Sequence, residues 1–125
     1  CMKALNHPTE EFIVWGSGRQ RRAFLYVDDV VDAIMATLDC GIGQGVIQIG
    51  PRESHSIAYI AEKIVALSGK DIEIRFDSTK PEGDQDRKAD NSRAQKILNW
   101  HPKVSLENGL ARTYSWASEY VKNGR

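Results

Sequence analysis

Between Ser56 and Gly69 the chain repeats apolar side chains at helical spacing, with Ile57, Ile60, Ala61, Ile64 and Leu67 on one stripe. A stripe of that width commits the segment to a helix with one buried face. Ser56 offers an oxygen to the unpaired N–H groups of the first turn, and Gly69 can take the left-handed backbone that ends it. A helix this short is marginal in water by itself, so the rest of the chain must supply the surface it packs on. Short apolar runs at Phe12 to Trp15, Phe24 to Val27, Val46 to Ile49 and Ile72 to Phe76 read as strands. Asp28 reads as the cap of another helix running to about Cys40, with Val30, Val31, Ile34 and Leu38 as its apolar stripe. Cys1 to Asn6 reads as the end of a helix stopped by Pro8, Asn91 to Leu98 as a short helix and Leu106 to about Val121 as a longer one. Strands alternating with helices predict an α/β fold, or α+β for an isolated piece, as one domain over residues 1–125 without repeats.

Charge narrows the function. Seventeen Lys and Arg balance seventeen Asp and Glu, so no global field draws the molecule to nucleic acid or to an anionic membrane, and any anion recognition must be local. Cys1 and Cys40 make no disulfide framework, and no apolar run approaches the roughly 18 residues of a membrane span. A reducing, cytoplasmic setting is the expectation. The chain opens on Cys-Met-Lys-Ala-Leu rather than on an initiator Met, which reads as a piece of something longer.

Several strings suggest catalysis and do not sustain it. Tyr59-Ile-Ala-Glu-Lys63 sets a phenol and an ammonium one turn apart, where the cation could lower the phenol pKa. Tyr59 also stands in the first turn of a helix whose apolar face is core, and that structural reading is preferred. GIGQG, Gly41 to Gly45, follows a helix and precedes a strand, the reverse of a dinucleotide loop, and so reads as a turn. Asp84, Asp86 and Asp90 lack the glycine and glutamate positions of a calcium loop. His7, His55 and His101 have no Cys or second His at ligand spacing, so no metal is assigned. No nucleophile with a nearby base is visible, and no catalytic residue is assigned.

The stretch WGSGRQRRAFLYVDD, Trp15 to Asp29, is more specific. Gly16 and Gly18 permit a tight turn, and Gln20, Arg21 and Arg22 follow beside a strand. A guanidinium is planar and permanently charged, and its fork of donors suits two phosphate oxygens at once. A second site lies in EGDQDRKAD, Glu82 to Asp90, where Arg87 stands three residues before Asp90 at the mouth of a helix. A cation for phosphate and a carboxylate for ribose hydroxyls would together describe a nucleoside diphosphate. Solvated surface charge is the competing reading, because exposed charge needs no ligand. A nucleic-acid module would also use Arg19, Arg21 and Arg22, but zero net charge and the lack of aromatics among the basic residues speak against it.

The run W-G-x-G-x-Q-x-R-x-F-x-Y-V-D-D, the later G-x-x-x-R-x-x-D (Gly83, Arg87, Asp90) and L-N-W-x-P-x-x-x-L-x-x-G-L (Leu98 to Leu110) resemble the C-terminal part of the sugar-nucleotide epimerases and dehydratases, the extended short-chain dehydrogenases. The order and spacing hold from about Val14 to Val121. Within that superfamily the Glu-Gly-Asp loop and the W-G-x-G opening look most like GDP-mannose 3,5-epimerase. The resemblance implies the C-terminal portion of a Rossmann-type fold, a small mixed sheet with flanking helices.

What the resemblance implies for function is carried position by position. Gln20 and Arg22 match the family's Gln-x-Arg along the nucleotide diphosphate, and Arg87 matches its second phosphate-contacting arginine. Asp90 matches the acidic residue near the ribose or the helix start, and Arg21 replaces a small uncharged residue. Asp28 and Asp29 match the family's acidic pair and are read here as a helix cap. Asn99 stands for a glycine between Leu98 and Trp100, and tolerates the left-handed turn. The family's glycine-rich NAD loop and catalytic Tyr-x-x-x-Lys lie upstream of everything in this sequence. The expectation is therefore a substrate-binding region that holds a GDP-, UDP- or dTDP-hexose, with NAD bound by an absent N-terminal half and no turnover by this chain alone. Other sugar-nucleotide epimerases, dehydratases, GDP-fucose synthase-like enzymes and a non-catalytic interaction domain remain as alternatives. In the family the helix at Asp28 packs beside the nucleotide-binding sheet, so its stripe should lie uncovered here and favour a homodimer or pairing with the missing half.

Overall fold

The computed structural model describes residues 1–124. Its elements run α1 (Met2–Asn6), β1 (Ile13–Trp15), β2 (Arg21–Arg22), α2 (Val27–Ala36), β3 (His55–Ser56), α3 (Ile57–Ser68), β4 (Arg75–Asp77), β5 (Asp86–Arg87), α4 (Ser92–Leu98) and α5 (Leu106–Lys122), with a π-helical turn at Thr37–Gly41 after α2. Among the described residues no helix is long and apolar enough to cross a membrane.

Helix α3 organises the larger core. Ser56 caps it by accepting the Tyr59 N–H, and Gly69 closes it at φ 64°; such a cap contributes about 1 kcal/mol. Its buried face, Ile60, Ala61 and Ile64, meets Ala4 of α1, Phe12 and Ile72, with Leu106, Leu110 and Tyr114 of α5 against the same cluster. Each fully buried aliphatic side chain there contributes about 1.5–3 kcal/mol. Leu67, expected on this face, is 41% exposed. A second, smaller cluster joins Ala33 of α2 to Ala94 and Leu98 of α4 and to Trp100.

Two small sheets lie beside these clusters. β1 pairs in parallel with β4, and β2 forms the centre of the other, antiparallel to β3 and parallel to β5. The paired backbone at the arginine loop is thus Arg21–Arg22. Phe24 to Val27, expected as a strand, is not one: Val27 opens α2 and Phe24 is exposed without a ladder partner. Val46 to Ile49 is likewise unpaired among the described residues; Ile47 and Ile49 only pack against the second cluster. The strand expected at Ile72 to Phe76 is displaced to Arg75–Asp77, and the polar stretch that follows it contains β5.

Helix α2 departs from its expected arrangement in two ways. Tyr26, not Asp28, is its N-cap, and no side chain caps it. The buried positions are Asp29 and Ala33, whereas Val31 (51%), Ile34 (53%) and Leu38 (59%) are exposed. Periodicity marks a helix as amphipathic but does not say which stripe finds a partner. The apolar face lies uncovered, as the family resemblance led one to expect.

Candidate functional site

The glycine turn between β1 and β2 places the arginines. Gly16 at φ 83° and Gly18 at φ 75° turn the chain after β1, and β2 then runs between β3 and β5. Its register pairs Arg22 with Arg87 across the parallel β2–β5 ladder, so two residues 65 positions apart in the sequence become direct neighbours. Both line a hollow of about 370 Å³ whose other walls are Ala23, Leu25, Gln48 to Gly50, Lys88 and Ala89. Among the described residues three cations and no carboxylate line it. Lys88 has a loose ion pair with Asp86 at 4.0 Å, and among the described residues neither Arg22 nor Arg87 pairs with an acid. Two arginines held side by side without an acid partner are what an anion would relieve.

The remaining residues singled out from the sequence separate by role. Arg21 points its guanidinium to Ser54, with Nε donating to Oγ at 3.2 Å and Nη2 donating to the carbonyl; it ties β2 to the approach of β3 and does not line the hollow. Gln20 is 6% exposed. Its Nε2 donates to the Trp15 carbonyl at 3.1 Å, and its Oε1 has no hydrogen-bond partner among the described residues. It braces the glycine turn from inside. Asp90 takes the helix-start alternative: its Oδ1 accepts the Ser92 N–H at 2.9 Å, and hydrogen bonds from Ser92 hold its carboxyl below the ordinary carboxylate value. The Asp90 N–H in turn donates to Gln48 Oε1 at 3.2 Å, fixing one wall of the hollow.

Other residues of the site escaped the sequence reading. Lys88 carries no role in the sequence reading, and Gln48 and Ile49 fall within the strand expected at Val46 to Ile49. Gly50 is the readable signal, because a Cβ there would sit 2.8 Å from that of Ala89; the two walls touch only because it is glycine. Asn91, buried, donates from Nδ2 to the Gly50 carbonyl at 3.2 Å and accepts Arg52 Nε at 3.2 Å, holding this wall against α4. Arg22 itself is partly engaged: Nη1 donates to the carbonyls of Arg21 and Asp84, each at 2.7 Å, and Nη2 to that of Glu82 at 3.3 Å.

Tyr59 and Lys63 are accounted for structurally. The Tyr59 hydroxyl donates to Glu107 at 3.1 Å, Lys63 Nζ lies 5.0 Å from the ring centroid, and His55 stacks on it at 5.3 Å. The acidic pair also has a structural use. Asp29, 1% exposed, accepts the N–H groups of Lys103 and Val104, each at 3.0 Å, and its carbonyl accepts the Trp100 indole N–H at 3.1 Å. A larger hollow, about 490 Å³, opens by Arg52, His55 and His101, but its charges are mixed: Glu53 and Glu107 line it, Lys103 is paired with Asp32 at 2.7 Å, and Arg52 is spent on the amides of Asn91 and Gln95.

The helices, the two small sheets and the chain path correspond to the Rossmann-type extended short-chain dehydrogenases that act on sugar nucleotides. The chain is similar in structure to the UDP-glucuronic acid 4-epimerase of Bacillus cereus, solved in complex with UDP-glucuronic acid and NAD, at a TM-score of 0.83 and 30% identity over 94% of this chain and 38% of that one. Residues 1–113 match the family described as GDP-mannose 4,6 dehydratase, and the chain belongs to that family. Among curated relatives it is 40% identical over 114 residues to GDP-L-fucose synthase 1 of Arabidopsis thaliana, covering 91% of this chain and 34% of the relative. It is 31% identical over 122 residues to GDP-mannose 3,5-epimerase 1 of Oryza sativa subsp. indica, covering 98% and 32%. The chain thus spans about a third of the length of the curated relatives it matches. The family is shown, while the 3,5-epimerase subfamily that the loop motifs resemble is not singled out by these identities.

Proposed function

We propose that this chain grips the diphosphate of a sugar nucleotide, as the substrate-holding part of an NAD-dependent epimerase, dehydratase or reductase. One observation carries the reading: Arg22 and Arg87, adjacent in register, and Lys88 line a single hollow at which no acid stands among the described residues. Two guanidinium forks side by side match the oxygens of two linked phosphates. Gln20 and Arg21 support β2 from behind, and Asp90 and Asn91 hold the opposite wall through Gln48 and Gly50.

Binding energy collected on the unreactive nucleotide would fix the hexose for chemistry done elsewhere. NAD, when bound, would accept a hydride from the sugar or return one to it. No step of that chemistry is assigned to Tyr59 or Lys63, whose contacts are those of a helix surface. A GDP-hexose is the proposed substrate, since relatives handling GDP-sugars are among those most similar to the chain. The GDP-mannose 3,5-epimerase-like reading rests on the Glu82-Gly83-Asp84 loop and the W-G-x-G turn; the higher identity to GDP-L-fucose synthase 1 favours a synthase-like reading beside it.

The test is calorimetry of the 125-residue chain with GDP, UDP and GMP. GDP should bind, GMP should bind more weakly for want of the second phosphate, and Arg87→Ala should weaken GDP by about tenfold or more, the scale of a lost charge-assisted hydrogen bond. Equal binding of GDP by wild type and by Arg87→Ala would refute the clamp. With NAD and a GDP-hexose added, the chain alone should give no rise in NADH absorbance.

A further inference from the structure

The segment Ser78 to Gln85 crosses the Gly16–Gly18 turn as a strap and ends in β5, which carries Arg87. It has no apolar anchor: of its side chains only that of Glu82 is half-buried, the rest being exposed. The Glu82 carboxylate accepts the N–H of Ser17, and its stem rests on Gly16, where a Cβ would come within 2.5 Å of Glu82 Cγ. At the next position Gly83, at φ 71°, leaves room for the Arg22 guanidinium, since a Cβ there would lie 3.2 Å from Nη2. The carbonyls of Glu82 and Asp84 then receive Arg22. A guanidinium has five N–H groups; three are taken up by backbone carbonyls, which leaves Nε–H and one Nη2–H.

We infer that Glu82 is a positioning residue for the anion site: by mooring the strap over the glycine turn it sets the two carbonyls that aim Arg22. The inference rests on the diphosphate-clamp reading above and deepens it. Arg22 without the strap would be a flexible side chain that must be ordered when the ligand arrives, and that ordering lowers affinity. Gly16 and Gly83 make the mooring possible, because any side chain at either would displace the carboxylate or the guanidinium.

Amide hydrogen exchange and calorimetry on the full 125-residue chain, with GDP as the probe, test this in wild type, Glu82→Ala, Glu82→Gln and Arg87→Ala, each first shown to keep the wild-type far-UV circular dichroism. Glu82→Ala should speed exchange at residues 82–87 and weaken GDP by about tenfold, whereas Glu82→Gln, which still offers an acceptor to Ser17, should restore most of both. Arg87→Ala should lose GDP without faster exchange in the strap. If wild type binds GDP and Arg87→Ala does not, while Glu82→Ala binds as wild type or leaves the strap's exchange unchanged, the role of Glu82 is overturned and the clamp stands. If wild type does not bind GDP, the clamp fails and this inference fails with it.

Discussion

Arg22 and Arg87 occupy matched positions on adjacent parallel strands, yet their side chains are in different conditions. Arg22 is held by three carbonyls, and Arg87 has no side-chain hydrogen bond among the described residues. Arg87→Ala should therefore cost ligand affinity alone and leave the thermal midpoint unchanged, whereas Arg22→Ala should lower both affinity and strap order; calorimetry paired with thermal melts separates the two. Asp29 gives a prediction on stability. Its carboxylate satisfies two backbone N–H groups at the entrance to α5, and Asp29→Ala should lower stability by about 2–3 kcal/mol in urea unfolding, from donors left without a partner. The arginines were legible in the sequence because glycine spacing and a matched family pattern marked them. The use of Asp29 was not, because an Asp near a helix start reads as a cap and only the folded chain brings residues 103 and 104 to it. Asn99 was legible through the family pattern: standing where the family has a glycine between Leu98 and Trp100, it takes the left-handed turn at φ 48°.

Among the elements, the helices were readable and most strands were not. α3 carries its cap and period within its own residues, and Ser56 and Gly69 act where the sequence put them; Ser105, which caps α5, emerges from the structure. The strands are two or three residues long, so pairing is decided by distant partners rather than by local pattern. β5 sits in a wholly polar loop and is visible only through its ladder with β2. The strap before β5 has a pH signature. Hydrogen bonds from Ser17, those of its side chain first and its backbone second, hold the Glu82 carboxyl below its ordinary value of 4.5. A depressed folded pKa means that the mooring is fully present above 4.5 and is lost as pH falls through the lower folded value. The Ser17 amide resonance, followed by NMR, should titrate with a midpoint below 4.5; a midpoint at or above it would contradict the mooring.

At the scale of the whole molecule the open feature is α2. Val27, Val31, Ile34, Met35 and Leu38 are all more than half exposed, a contiguous apolar face larger than a lone soluble domain ordinarily shows. The isolated chain should self-associate at micromolar concentration in sedimentation velocity, and Val31→Lys with Leu38→Lys should return it to monomer without lowering its melting temperature, since neither side chain is in the core. A monomeric wild type would contradict this. The β2–β5 ladder sets Arg22 and Arg87 side by side at one hollow, and on that convergence the functional account depends. Its most direct measurement is an NMR titration of the 125-residue chain with GDP. The amides of residues 22–25, 48–50 and 87–89 should shift together with one affinity; shifts confined to residues 51–55 and 101–107, around the larger hollow, would contradict it.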